Sequence, residues 1–233
     1  MSLPKVVSRE EWRKARQELL AKEKAATRAR DALNRERRGL PMVEIDKEYV
    51  FEGGNGKATL LDLFEGRDQL VVHHFMFAPE WENGCPGCSY FLDQVGHPAH
   101  LHARRTSLAA VSRAPYTRLL PFKARMGWTV PWYSSYDTDF NADFNADFEV
   151  TRERDGELFE RPGLSCFLRD RDQVFHTYST YDRGLDGLGS ATGFLDLTAL
   201  GRQEGWEVPK GRAEAFGPLA GSAHTKYHDE YVD

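Results

Sequence analysis

The segment Leu70-Val71-Val72-His73-His74-Phe75-Met76-Phe77 is the strongest candidate for a buried strand in this chain, and it runs directly toward Cys85-Pro86-Gly87-Cys88. A short apolar run of this length reads as a strand covered on both faces. A helix is expected next, from about Cys88 to Val95. Gly96 and Pro98 interrupt it, and it resumes through Arg105. Cys166 is the only other cysteine, so three thiols in all make no disulfide framework. A buried strand that delivers a Cys-x-x-Cys pair to a helix start is instead the context of a redox motif.

The flanking segments set the architecture. Ser8-Arg9-Glu10-Glu11 is a capping box, and it predicts a helix from about Arg9 to Arg37, stopped by Gly39 and Pro41. Trp12, Ala15, Leu19, Ala26, Ala29 and Leu33 form a heptad-like stripe that Lys22 interrupts. Such a helix covers part of its own core or meets a second subunit, which makes a homodimer one expected partner arrangement. Tyr49-Val50-Phe51 before Gly53-Gly54-Asn55-Gly56 reads as a strand entering a turn. Ser107–Ser112 is expected to be a second strand, Pro115–Met126 a helix and Trp128–Tyr133 a third strand. Ser165–Arg169 and Val174–Tyr178 are expected to pair as a hairpin. Strands alternating with helices, closed by a hairpin, predict a layered α/β domain with a mixed sheet. The domain is expected over residues 42–208, with a helical extension at 1–41 and a surface tail at 209–233.

The spacing of the cysteines has a chemical reason. A thiolate, not a thiol, attacks a disulfide. Free N–H groups and the dipole at a helix N-terminus stabilise negative charge on sulfur. A two-residue spacer holds the second sulfur near enough to close an intramolecular disulfide. Cys85 is therefore expected to be the exposed attacking sulfur and Cys88, one turn into the helix, the resolving one. Pro86 restricts the turn, and Trp81 and Pro86 are expected to flank the pair. The competing use of these thiols is zinc, written Cys85, Cys88, His97 and His100. Pro98 stands between the histidines and the gap is short for a finger, so no metal is assigned.

At these residues the sequence resembles the thioredoxin-like proteins described as predicted dithiol–disulfide isomerases, a group of largely unassigned function. The resemblance is carried by Leu61–Phe64, Val72–Phe77, Cys85–Ser89, Val111–Pro115, Arg125–Trp128, Pro131-Trp132, Val174–Ser179 and Asp196–Thr198. It implies a thioredoxin-like mixed sheet flanked by helices, here with a long N-terminal helix. It also implies dithiol/disulfide cycling without a cofactor. Where thioredoxins bury an acid before the motif, this chain has His73 and His74. Pro162 is the nearest counterpart of the proline that such folds set against the cysteines, and it stands about a residue early. Peroxiredoxins, a sister group, carry Thr three residues before the reactive cysteine, where this chain has Glu82.

Several other residues carry chemistry of their own. His73 and His74 fall on opposite faces of a strand, and the one nearer the sulfurs can move protons. Asp93, five residues after Cys88, is a second proton-handling candidate. Asp137, Asp139, Asn141 and Asp143 alternate like a calcium loop, but Ala142 and Phe148 stand where Gly and Glu are required. Arg104, Arg113 and Arg125 suit an anion or neighbouring carboxylates. Cys166 is expected to be a buried thiol.

With 31 basic and 36 acidic residues the net charge is -5, which gives no global attraction to nucleic acid or membrane. No run approaches the roughly 20 apolar residues of a membrane span, and a cytoplasmic location is expected. The expected substrate is a disulfide-containing protein or a small thiol compound, with an unassigned electron donor. A peroxide-reducing enzyme and a non-enzymatic binding module are the alternative functions.

Overall fold

The computed structural model describes residues 4–136, 147–154, 156–190, 197–198 and 227–230. Three strands form around the apolar run. β4 (Gln69–His74) pairs in parallel with β5 (Thr106–Ser112) and antiparallel with β9 (Gly163–Asp170). Leu70, Val72 and His73 are fully enclosed, which explains why this segment does not alternate between apolar and polar. β9 and β10 (Gln173–Tyr181) form the expected hairpin, with a register shift between His176 and Tyr178. Their order, β10-β9-β4-β5 with β9 antiparallel to the rest, is that of the thioredoxin-like sheet.

Four further strands widen it. β6 (Trp132–Ser134) adds parallel to β5, followed by β2 (Val50–Gly53) and its hairpin partner β3 (Gly56–Thr59). β1 (Val43–Ile45) borders β10. The third strand begins at Trp132, not Trp128. After α2 (Pro86–Asp93), α3 (Ala99–His102) is the short resumption of helix before β5. Gly127, at φ +64°, ends α4 (Tyr116–Arg125), and residues 128–131 cross to the sheet as a connection. β7 (Thr151–Arg154) and β8 (Glu157–Glu160) make a separate two-stranded ribbon beyond the strands the sequence predicts. The Asp155-Gly156 dipeptide between them was its signal.

α1 (Arg9–Arg38) has the expected capping box, closed by Ser8 and Glu11. It does not bury its stripe against this chain. None of its residues is buried, and Trp12, Leu19 and Leu33 are each at least half exposed. The stripe is narrow and half alanine, so it offers the domain little apolar area. Near its C-terminal end the Arg37 guanidinium lies 4.7 Å from the Tyr178 ring centre. Among the described residues, no helix is long and apolar enough to cross a membrane. The acidic repeat around Asp137–Asp143, Asp196 of the resemblance and most of the tail lie outside the described residues.

Candidate active site

α2 (Pro86–Asp93) begins one residue after Cys85, which is its N-cap. Pro86 takes the first helical position, where no N–H is needed and its fixed φ suits the turn. The approach to the motif is held by Cys85 N–H donating to the Met76 carbonyl at 2.9 Å. Met76 N–H in turn donates to Cys88 Sγ at 3.4 Å. The strand extension thus fixes one cysteine through its backbone and the other through its sulfur. A Cβ at Gly84 would stand 2.6 Å from Phe75, so the chain can pass this point only as glycine without displacing the ring.

Neither cysteine is in a disulfide. Their electrostatics differ sharply. The Cys88 thiol donates to Cys85, and the backbone N–H groups of Cys88 and Gly87 add to it. Together these pull the Cys85 thiol down from 9.0 to about 7 against the opposing effect of burial. Burial pushes Cys88 well up, and its hydrogen bond to Cys85 and the Cys85 charge push the same way. Cys85 is more enclosed than the sequence led us to expect. It is 7% exposed against 2% for Cys88, and it meets the outside through a cleft.

That cleft is open on one side and holds a volume of about 50 Å³. Cys85, Cys88, His73, Met76, Phe91 and Pro162 line it, so Pro162, immediately before β9, shares the cleft with the sulfurs. His73 is fully buried, with Nδ1 3.2 Å from the Gly163 carbonyl and its ring centre 4.6 Å from that of Phe91. Burial lowers it from 6.5 to about 4. His74 points to the other face. It joins a chain of hydrogen bonds, His74–Ser165–Ser179–His176, with steps of 2.8, 2.8 and 2.7 Å. Burial and the neighbouring His73 lower it to about 3.

The other sequence candidates lie outside the cleft lining. Trp81 packs against the aromatic cluster under the motif, and its carbonyl accepts from Arg118 at 2.7 Å. Asp93 accepts from Trp128 Nε1 at 2.7 Å and pairs with His228 at 2.9 Å. His97 and His100 are exposed while the cysteines are buried, and no group of three or more potential metal ligands occurs among the described residues. Arg125 is paired with Asp229 and Glu230, and Arg113 with Glu160 at 3.1 Å. Cys166 is half-buried, and burial pushes its thiol up to about 11.

Glu160 was not anticipated. Its side chain is 6% exposed, and burial raises it from 4.5 to about 7 despite Arg113. It accepts from Phe77 N–H, one residue after the amide that binds Cys88 Sγ, and its charge contributes to raising Cys88. Its position at the end of β8 gave no sequence signal beyond the Asp155-Gly156 dipeptide.

A βαβ unit with the dithiol at its first helix, joined to an antiparallel hairpin, defines a protein of thioredoxin-like fold. The family model described as "Bacterial protein of unknown function (DUF899)" matches residues 1–231, and the chain belongs to that family. The description carries no disulfide isomerase activity. Comparison with functionally curated proteins gave no match. Among solved structures, the chain is similar to peroxiredoxin Q of Xanthomonas campestris, at 15% identity and a TM-score of 0.48, over 64% of this chain and 93% of that one. It is also similar to peroxidoxin BcpB of Mycobacterium tuberculosis, at 18% identity and a TM-score of 0.43, over 59% and 86% of the two chains. BsSco, of the Sco family of cytochrome c oxidase assembly proteins, matches at 12% identity and a TM-score of 0.41, over 61% and 85%.

Proposed function

We propose that this protein is a thiol–disulfide oxidoreductase that cycles Cys85 and Cys88 between dithiol and disulfide. The observation that carries the reading is the asymmetry of the two thiols on adjacent turns of one helix start. Cys85 is lowered by donors aimed at its sulfur, and Cys88 is raised by burial. The Cys85 thiolate attacks a substrate disulfide RS–SR, forming Cys85–S–S–R and releasing RS⁻, which takes a proton from water. Cys88 then loses its proton and attacks Cys85 Sγ, closing the internal disulfide and releasing the second RS⁻. Two electrons pass to the substrate, and an external dithiol restores the enzyme.

Limited iodoacetamide treatment between pH 6 and 9 tests the roles. Cys85 should label well before Cys88, with a midpoint below the roughly 8.5 of a free thiol. Cys88→Ser should accumulate a mixed disulfide and Cys85→Ser should not. Earlier alkylation of Cys88, or equal trapping by both variants, would reverse or abolish the assignment. Faster oxidation of Cys85 by hydrogen peroxide than by any disulfide would move the substrate to a peroxide. Inertness to both would leave a binding module.

A further inference from the structure

The structure supplies a ligand preference for this cleft as well as a nucleophile. The Gly163 carbonyl can only accept, so His73 Nδ1 carries the hydrogen and Nε2 presents a lone pair. His73 is fully buried, and Nε2 has no hydrogen-bond partner among the described residues. Leaving such an acceptor unmade keeps its desolvation uncompensated, which a bound donor offsets. The ring cannot easily turn away. Phe91 and Phe75 pack on it, with centres at 4.6 and 5.8 Å, and the β4–β9 register sets His73 opposite Leu164, beside the carbonyl it uses.

The rest of the cleft narrows the choice. Its walls beside Cys85 are mainly apolar, from Met76, Phe91, Pro162 and Leu185. Asp182 and Asp186 also line it, and each is matched by an arginine, Arg161 at 3.0 Å and Arg183 at 3.2 Å. Among the described residues no lysine or arginine lines the cleft, and those two arginines are already taken by Asp182 and Asp186, so an anionic disulfide gains no unpaired cation from them. A 7% exposed sulfur set inside a cleft is poorly placed for the surface disulfide of a folded protein and is open to a small molecule.

We propose that the cleft takes a small, uncharged organic disulfide bearing a hydroxyl or amide donor a few bonds from sulfur, with that donor bound by His73 Nε2. The inference rests on the dithiol reading above, and the electron balance is the one given there, with both RS⁻ groups leaving as neutral thiols after protonation by water.

The test uses the full-length protein, reduced and freed of reductant. It is mixed separately with bis(2-hydroxyethyl) disulfide, diethyl disulfide, oxidised glutathione and insulin. Formation of the Cys85–Cys88 disulfide is followed by mass, and each small-molecule rate is divided by that of the same disulfide with a free small thiol. The hydroxyl-bearing disulfide should exceed diethyl disulfide and glutathione by about tenfold, the factor that one recovered hydrogen bond of ~1.4 kcal/mol supplies. Insulin should react slowest. His73→Phe, which keeps an aromatic ring and removes the acceptor, should lose the preference between the two neutral disulfides. In the unreactive Cys85→Ser, Cys88→Ser protein, the His73 Nε2 nitrogen resonance should shift with the hydroxyl-bearing disulfide and not with diethyl disulfide. Equal normalised rates, an unmoved resonance, or a faster reaction with glutathione or insulin would overturn the ligand class while leaving the dithiol chemistry standing. Failure of every disulfide to oxidise Cys85 would overturn both.

Discussion

Glu160 and the two buried histidines pull the protein's acid stability in opposite directions. Glu160 is raised from 4.5 to about 7 in the folded state, so across that interval the folded protein binds more protons than the unfolded chain. Its contribution grows as pH falls from 7 to 4.5. His73 and His74 are lowered from 6.5 to about 4 and about 3, so there the unfolded chain binds more protons and stability is lost as pH falls below 6.5. The effects offset one another in the wild type. Glu160→Gln removes the first and keeps the second, so its thermal midpoint should fall more steeply than wild type between pH 7 and 5. The difference should reach roughly 1–3 kcal/mol at the acid end. Parallel melting curves over that range would mean that Glu160 stays ionised against Arg113. The sequence showed that His73 and His74 face opposite ways, because a strand's period of two dictates it. It could not show which one meets the sulfurs, since that depends on the side of β4 covered by α2. Glu160 was hidden for a related reason: a charged residue at a strand end reads as solvated until its neighbours are known.

At the level of elements, legibility followed locality. The β4 segment, the helix start at the motif and the β9–β10 hairpin are each written in adjacent residues, and each forms, although β4 ends at His74 rather than Phe77 and α2 starts at Pro86 rather than Cys88. The burial of α1 depends on residues distant in sequence, and among the described residues none covers its stripe. Trp12, Leu19 and Leu33 remain exposed on a helix capped well enough to persist beside the sheet. Removing residues 4–30, which spares Arg37 and its contact with Tyr178, should therefore move the thermal midpoint of the dilute protein by no more than a few degrees. A large drop, read by circular dichroism, would show that the stripe is covered in solution. Gly84 is the opposite case, a small residue on which two elements depend. Its added Cβ would lie 2.6 Å from Phe75 and 3.1 Å from Phe122, both core rings. Gly84→Ala should cost about 1–3 kcal/mol in denaturant unfolding, and it should shift the Cys85 alkylation midpoint because the cap residue is next in the chain.

Across the whole molecule, the far end of the chain closes on the motif. The sequence suggested a tail passing over the surface, yet Tyr227 is a core residue, 8% exposed, in the aromatic cluster with Phe75, Phe77 and Phe122. Its hydroxyl donates to the Gly84 carbonyl, immediately before Cys85. The turn that follows is tied down on both sides. Asp229 and Glu230 pair with Arg125 of α4, and His228 pairs with Asp93 at the end of α2. The pairs are substantially exposed and add little stability alone, but they fix where the Tyr227 ring enters. Tyr227→Phe keeps the ring's apolar burial and removes only its bond to Gly84, so it should lower stability by about 0.5–1.5 kcal/mol. Deleting residues 227–233 also removes the ring from beside Phe122, whose centre is 5.4 Å away, and opens the side of the cluster next to residues 78–84. The truncated protein should melt lower, and its Cys85 should alkylate several-fold faster at a pH where the wild-type thiol is mostly protonated, because the cap can then loosen without global unfolding. Hydrogen exchange should locate the loosening at the amides of Gly84 and Cys85, with those of β4 unchanged. Equal alkylation rates for the truncated and full-length proteins, with equal protection at Cys85, would show that β4 and α2 hold the nucleophile without the C-terminal segment.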